Sequence, residues 1–129
     1  MLDENTIGQI AAFIDTNNIK EIIFILSEDN CIILDALHNF RFREINGLNG
    51  PYTLLNQYGK DVQRSFNADN LNARVISYHL NRKIRELKAG LKVLLKTQPL
   101  ISGKLYSKDS KDFKSTYSDL LCLHFSNLN

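Results

Sequence analysis

The stretch that decides the fold is Leu71-Asn-Ala-Arg-Val-Ile-Ser-Tyr-His-Leu80, which continues as Asn81-Arg-Lys-Ile-Arg-Glu-Leu-Lys-Ala-Gly90. At about 100° per residue, its apolar side chains fall in one sector of a helix and its polar side chains fall opposite them. The apolar set is Ala73, Ile76, Leu80, Ile84 and Leu87, and the opposite set is Arg74, Ser77, Tyr78, Asn81, Arg82 and Arg85. This pattern predicts a helix anchored by its apolar side, with a basic and polar side turned outward.

The outward set contains the groups that contact nucleic acid. Asparagine and arginine can form bidentate hydrogen bonds to base edges in the major groove, and further arginines bind phosphates. We therefore expect Arg74, Tyr78 and Asn81 near bases, with Ser77 beside them and Arg82 and Arg85 on phosphates. The alternative is an ordinary solvated helix face. The near absence of acidic residues among these bases favours binding.

Charge is distributed unevenly along the chain, although the formal net charge is only +2. Residues 1–36 hold seven acids and one base, a net charge of −6, whereas residues 71–96 hold seven bases and one acid, a net charge of +6. Such asymmetry indicates an anionic partner for the basic region. Alternatively, the two regions face each other within the fold or across a dimer.

Length and composition predict one folded domain, spanning residues 1–129. Apolar residues make up 43% and charged residues 23%, as in ordinary globular proteins. No apolar run approaches the ~20 residues of a membrane span, and no signal peptide begins the sequence, so we expect a cytoplasmic protein without a membrane partner. Cys31 and Cys122 lie far apart, and each is expected to be a small buried hydrophobe in a reducing compartment.

The N-terminal part, residues 1–50, predicts one helix and a small antiparallel sheet. Residues 3–17 have the spacing of an amphipathic helix, and residues 19–26 form an apolar, β-rich run. Turn residues at 27–30 followed by an apolar run at 31–34 predict a hairpin. Alternation at 40–45 predicts a third strand. A helix is expected to begin at Pro51, with an interruption at Gly59 and a second short helix carrying Val62 and Phe66.

Gly90 leaves two alternatives for the chain that follows. If it lies just past the end of the basic helix, residues 91–97 form a strand and residues 104–107 return beside it. If it only interrupts one long helix, that helix continues until Pro99. We favour the first alternative because Val93 lies well off the apolar sector. The second stays open because leucine and lysine favour helices.

On the favoured alternative, the order of helix, short helix, basic helix and hairpin resembles a winged helix-turn-helix domain over residues 51–107. Residues 71–80 are similar to the recognition helix of that family. Residues 84–91 resemble the exit into the wing, and Leu95-Lys-Thr97 with Gly103-Lys-Leu105 resembles the wing of the response-regulator effector subclass. The resemblance implies an α+β fold and a transcriptional regulator that binds double-stranded DNA. Lys92, Lys96 and Lys104 would then add phosphate contacts from the wing.

The remaining residues point to no catalytic or metal site and to no cofactor, because neither a Gly-rich phosphate loop nor metal-ligand spacing occurs. We expect a protein that is not an enzyme, and His79 is expected to be packed or to touch a phosphate. Residues 108–129 predict a C-terminal helix that either covers the core or forms a homodimer. The alternative function is a protein–protein adaptor or inhibitor of the phage or immunity type, whose basic face binds an acidic protein.

Overall fold

A computed structural model of the chain describes residues 2–38, 41–42, 44–65 and 71–116. These residues form a mixed α+β structure with four helices and three strands, which confirms the predicted fold class in its general form. In chain order the elements are α1 (Glu4–Asn17), β1 (Glu21–Ser27), α2 (Cys31–His38), α3 (Asn49–Ser65), α4 (Leu71–Leu94), β2 (Leu100–Ser107) and β3 (Asp112–Ser115).

The three strands form one sheet in the order β1-β2-β3. β1 and β2 are parallel, in a register that pairs Glu21 with Leu100 and Ser27 with Tyr106, whereas β2 and β3 are antiparallel. The predicted strand at 19–26 is confirmed, but its predicted hairpin partner is wrong. β1 instead pairs with β2, and the helices α2, α3 and α4 lie between these two strands in the sequence. Within the described residues, the N-terminal part therefore has no antiparallel sheet of its own.

The second half of the predicted hairpin is helix α2. The Oδ1 atom of Asn30 accepts the backbone N–H groups of Ile32 and Ile33, both at 3.1 Å, and so caps the first turn. A four-residue apolar run fits a strand or a buried helix equally well, and here the cap selects the helix. Cys31, expected to be buried, is exposed at the start of α2, and Cys122 lies outside the described residues.

The strand predicted at 40–45 is also wrong where it can be examined. Arg41, Phe42, Glu44 and Ile45 lie in turns, while residues 40 and 43 lie outside the described residues. The backbone N–H groups of Arg41 and Phe42 donate to the carboxylate of Asp35, at 3.1 Å each. These bonds hold the segment against α2 and occupy two of the N–H groups that a strand would use for pairing.

Helix α4 continues past Gly90 to Leu94, so the alternative of one long helix is confirmed and the strand predicted at 91–97 is wrong. Gly90 faces α1, where a Cβ atom would lie 2.7 Å from Cδ1 of Ile7. The glycine therefore allows two helices to approach closely and does not end α4. The helix ends where the side chain of Gln98 donates to the carbonyls of Leu91 and Leu95, just before Pro99.

Helix α4 is shared by two hydrophobic clusters. In one, Val75, Ile76 and Leu80 pack against α2, α3 and Leu105 of β2. In the other, Ile84, Leu87 and Leu91 pack against α1 and Ile101. The predicted α1 is confirmed, and its N-cap is Asp3, which accepts the N–H of Thr6 at 2.8 Å.

The structure confirms only some of the other predicted elements. Helix α3 runs through Gly59 without interruption, and Phe66 lies outside the described residues. The strand predicted at 104–107 is confirmed within β2. The start of the predicted C-terminal helix is wrong because residues 112–115 form β3, and residues 117–129 lie outside the described residues. Among the described helices, none is both long and apolar enough to cross a bilayer.

Candidate nucleic-acid interface

The N-terminal half of α4 turns several of its predicted binding residues inward. Ser77 is fully buried, so the expectation that its hydroxyl faces a ligand is wrong. Tyr78 is half-buried and packs edge-on against Tyr58 of α3, with ring centroids 4.8 Å apart. The apolar sector of the helix is wider than the sequence pattern predicted, because α3 covers one side of α4 while the sheet covers another.

Arg74 and Asn81 are also half-buried. The Oδ1 atom of Asn81 accepts the hydroxyl of Thr116, at 3.2 Å, at the end of β3. This bond fixes the amide against the sheet, where it helps to hold β3 in place. The three residues assigned to bases, Arg74, Tyr78 and Asn81, therefore do not form an exposed surface that could enter a groove.

Glu86 is the only acid in α4, and two basic side chains lie within ion-pair distance of its carboxylate. Its carboxylate lies 3.5 Å from Nε of Arg82 and 3.3 Å from Nζ of Lys83, and it accepts the backbone N–H of Leu2 at 3.1 Å. Burial would raise its pKa, but the bonds from Leu2 and Lys83 outweigh burial and lower it. Arg82, whose guanidinium also lies 5.6 Å from the centre of the Tyr58 ring, is thus partly neutralised.

The exposed cations of α4 lie farther along the helix. We name Arg85, Lys88, Lys92 and Lys96 the basic row; all four are exposed. Arg85, Lys88 and Lys92 fall within about 60° of one another around the helix axis, and Lys96 follows its last turn. Lys88 was absent from the predicted site. Its i+3 spacing from Arg85 places it on the same side of the predicted helix, and this signal was present in the sequence.

The basic row has few acidic neighbours. Ion pairs within the described part of the chain do not involve Lys88, Lys92 or Lys96. At its far end, Lys96 lines a cleft of about 510 Å³ between α1 and the segment before β2, where Asp15 and Lys20 also lie. The row is therefore a cationic strip about 10 Å long from Arg85 to Lys92, at 1.5 Å of rise per residue.

Lys104 does not belong to this strip. It is exposed on the side of β2 opposite α4, because its neighbours Gly103 and Leu105 face the helix. The predicted continuous site is thus divided. Arg85, Lys92 and Lys96 lie together, whereas Lys104 faces away from them across the sheet.

His79 of α4 packs beside Tyr58 of α3, with ring centroids 6.3 Å apart. Burial, reinforced by the charge of Lys83, lowers the pKa of His79, and burial raises the pKa of Tyr58. Their Nδ1 and hydroxyl atoms are buried without a hydrogen-bond partner among the described residues. This placement agrees with the expectation of a packed His79. The described residues contain no group of three or more His, Cys, Asp or Glu side chains placed to hold a metal ion.

No family model, curated protein or solved structure matches this chain.

Proposed function

We propose that this protein binds double-stranded DNA through the phosphate backbone, using the basic row on the C-terminal half of α4. The observation that carries the proposal is a strip of four exposed cations. The sole acid of α4, Glu86, lies next to this strip but is paired with Arg82 and Lys83. The DNA-binding transcription regulator predicted from the sequence is a more specific version of this proposal. It would need, in addition to the basic row, a surface that contacts base edges.

A row of lysines and an arginine on a helix suits phosphates better than bases. Lysine acts as a flexible point charge, which neutralises phosphate without selecting a sequence. Over about 10 Å of its axis, duplex DNA presents several phosphates. Four contacts would give a logarithmic salt slope of roughly −3 to −4, at about −0.9 per phosphate neutralised. The expected affinity is micromolar, as for other non-specific complexes.

The test is fluorescence anisotropy of a labelled random duplex at several salt concentrations. The double variant Lys88→Ala, Lys92→Ala should weaken binding and reduce the magnitude of the salt slope by about 2, because two phosphate contacts are lost. The matched control is Lys60→Ala, Lys104→Ala, which removes the same charge from exposed positions outside the row. Its slope should remain close to that of the unmodified protein.

Two results would contradict the proposal. One is the absence of binding at low salt, where even non-specific complexes form. The other is an equal loss of affinity in both double variants, which would show that only net charge matters.

A second candidate is supported by two apolar side chains beside the row. Val93 is 85% exposed and Leu94 is 54% exposed, at the same end of α4 as Lys92 and Lys96. Exposed apolar residues bordered by cations suit an acidic protein partner better than they suit a phosphate backbone. This is the adaptor or inhibitor function. It predicts that Val93→Ser weakens partner binding, whereas the same change leaves DNA affinity unaltered.

A further inference from the structure

The cleft at the far end of the basic row has the size of a small-molecule site. Its volume is about 510 Å³, and ligand pockets in proteins commonly measure roughly 300–1,000 Å³. One wall is the end of α1 with the start of β1, and the other is the end of α4 with the segment before β2. Every residue that lines the cleft belongs to the described part of the chain.

Part of the lining is apolar. Ile14 is a buried member of the second hydrophobic cluster, and Ile19 and Leu95 pack against that cluster while remaining half-buried. Pro99 lines the same cleft and is buried. An apolar surface inside a concave site can take up the apolar part of a ligand.

Hydrogen bonds fix the wall formed by the end of α1. Asn18 has left-handed backbone geometry, with a φ of 52°, and its N–H donates to the carbonyls of Ile14 and Asp15. Two residues later, the carbonyl of Lys20 accepts the N–H of Leu100 at 2.9 Å. The end of α1 is thereby connected to the start of β2.

The opposite wall is held by the side chain of Gln98, which donates to the carbonyls of Leu91 and Leu95 at 3.2 and 2.8 Å. The cleft is therefore formed without a ligand, so little conformational entropy is lost on binding. These bonds have a second effect. Carbonyl groups at both helix ends, which would otherwise attract a cation, already accept hydrogen bonds.

The charges in the cleft favour an anion. Lys20, Lys96 and Asp15 are its charged lining residues, and all three are exposed. None of them takes part in an ion pair within the described part of the chain. Two ammonium groups and one carboxylate leave a net charge of +1, which matches a ligand with a single negative charge.

We propose that this cleft binds a small organic carboxylate. Its carboxylate group contacts the ammonium groups of Lys20 and Lys96, whose flexible side chains can adapt to it, and its apolar body lies against the apolar lining. A small inorganic anion would leave the apolar lining unfilled. A neutral ligand would leave both ammonium groups without a counter-charge. Because the cleft is open to solvent, we expect a dissociation constant of about 0.1–1 mM.

NMR titration of the full, isotope-labelled chain with naphthoate tests the proposal. The amide signals of Asn18, Thr97 and Gln98, which line the cleft, should shift and saturate by about 5 mM. Two matched probes separate the parts of the ligand. Naphthamide keeps the apolar body without the charge and should bind at least about fivefold more weakly, and acetate, which lacks the apolar body, should cause no saturable shift.

A pair of double variants tests the two ammonium groups. Lys20→Gln, Lys96→Gln should weaken naphthoate binding about fivefold, since each exposed ion pair contributes little by itself. Lys60→Gln, Lys104→Gln removes the same charge from exposed positions outside the cleft and should leave the affinity unchanged. All four side chains are exposed, so the variants are expected to fold.

Three results would overturn the proposal. They are shifts that do not concentrate on the cleft, equal affinities for naphthoate and naphthamide, and equal affinities in the two double variants. The inference does not rest on DNA binding, because the titration contains no nucleic acid.

Discussion

At Asp35, a carboxylate that is only 5% exposed accepts hydrogen bonds from three donors. Two are the backbone N–H groups of Arg41 and Phe42, and the third is the hydroxyl of Tyr52, at 2.6 Å. Burial by itself would raise the pKa of Asp35, but the three donors outweigh it and lower the pKa. Burial and the adjacent carboxylate raise the pKa of Tyr52 to about 12, so its hydroxyl remains a donor at neutral pH.

This lowered pKa gives Asp35 a predictable effect on stability. Since the folded state binds the proton less tightly than the unfolded state, the contribution is complete above the unfolded pKa of about 3.9 and is lost as pH falls through the folded pKa. Asp35→Asn should therefore lower the urea midpoint at about pH 6, and the difference from the unmodified protein should shrink towards about pH 3.

The control for this prediction is Asp109→Asn, which changes an exposed carboxylate in the turn between β2 and β3. Its midpoint should differ little from that of the unmodified protein at either pH. A difference between Asp35→Asn and the unmodified protein that stays constant as the pH falls would show that the carboxylate charge is unimportant at this position.

At the scale of elements, the packing of α1 on α4 depends on Gly90. A Cβ atom there would lie 2.7 Å from Cδ1 and 2.8 Å from Cγ2 of Ile7, closer than atoms can pack. A glycine inside a helix costs about 1 kcal/mol relative to alanine. The close approach of the two helices must offset this cost by burying Ile7, Ile14 and Leu91.

We expect Gly90→Ala to destabilise the protein by about 1–2 kcal/mol, since overpacking exceeds the gain in helix propensity. Gly8→Ala is the matched control, because a Cβ atom at Gly8 in α1 meets nothing within 4 Å and should stabilise by up to about 1 kcal/mol. In urea unfolding, the Gly90→Ala, Ile7→Ala double variant should lose less than the sum of the single variants. Additive losses would contradict the close contact.

At the scale of the whole molecule, the unit formed by α3, α4 and the β2–β3 hairpin is not self-contained. β2 pairs along its length with β1, and the second hydrophobic cluster needs α1 to cover Ile84, Leu87 and Leu91. A winged helix-turn-helix domain confined to residues 51–107 would fold without these N-terminal elements. The structure makes the N-terminal helix and strand part of the same core.

A fragment of residues 49–116 should therefore fail to unfold cooperatively. Without α1 and β1 it would expose one face of α4 and one edge of β2 to water. Urea denaturation followed by circular dichroism, with the complete chain as control, measures this directly. A cooperative transition in the fragment would contradict the prediction and would support an independent winged helix unit.

Local patterns in the sequence were sufficient for elements whose periodicity is long. The apolar spacing of α1, the β-rich run of β1 and the amphipathic face of α4 each identify an element without tertiary information. The run at 31–34 was too short to distinguish a strand from a helix. The deciding group there was the side chain of Asn30, whose capping bonds outweighed the β propensity of two isoleucines.

The sequence by itself determined the α+β class, the basic character of α4 and the apolar stripe that anchors this helix. Tertiary structure alone decided that Gly90 lies inside α4, because only the position of Ile7 shows why a glycine is needed there. It also decided which cations are exposed together, since α3 covers Tyr78 and the sheet separates Lys104 from Lys92. Periodicity describes one helix at a time, whereas the exposure of a side chain depends on every element packed around it.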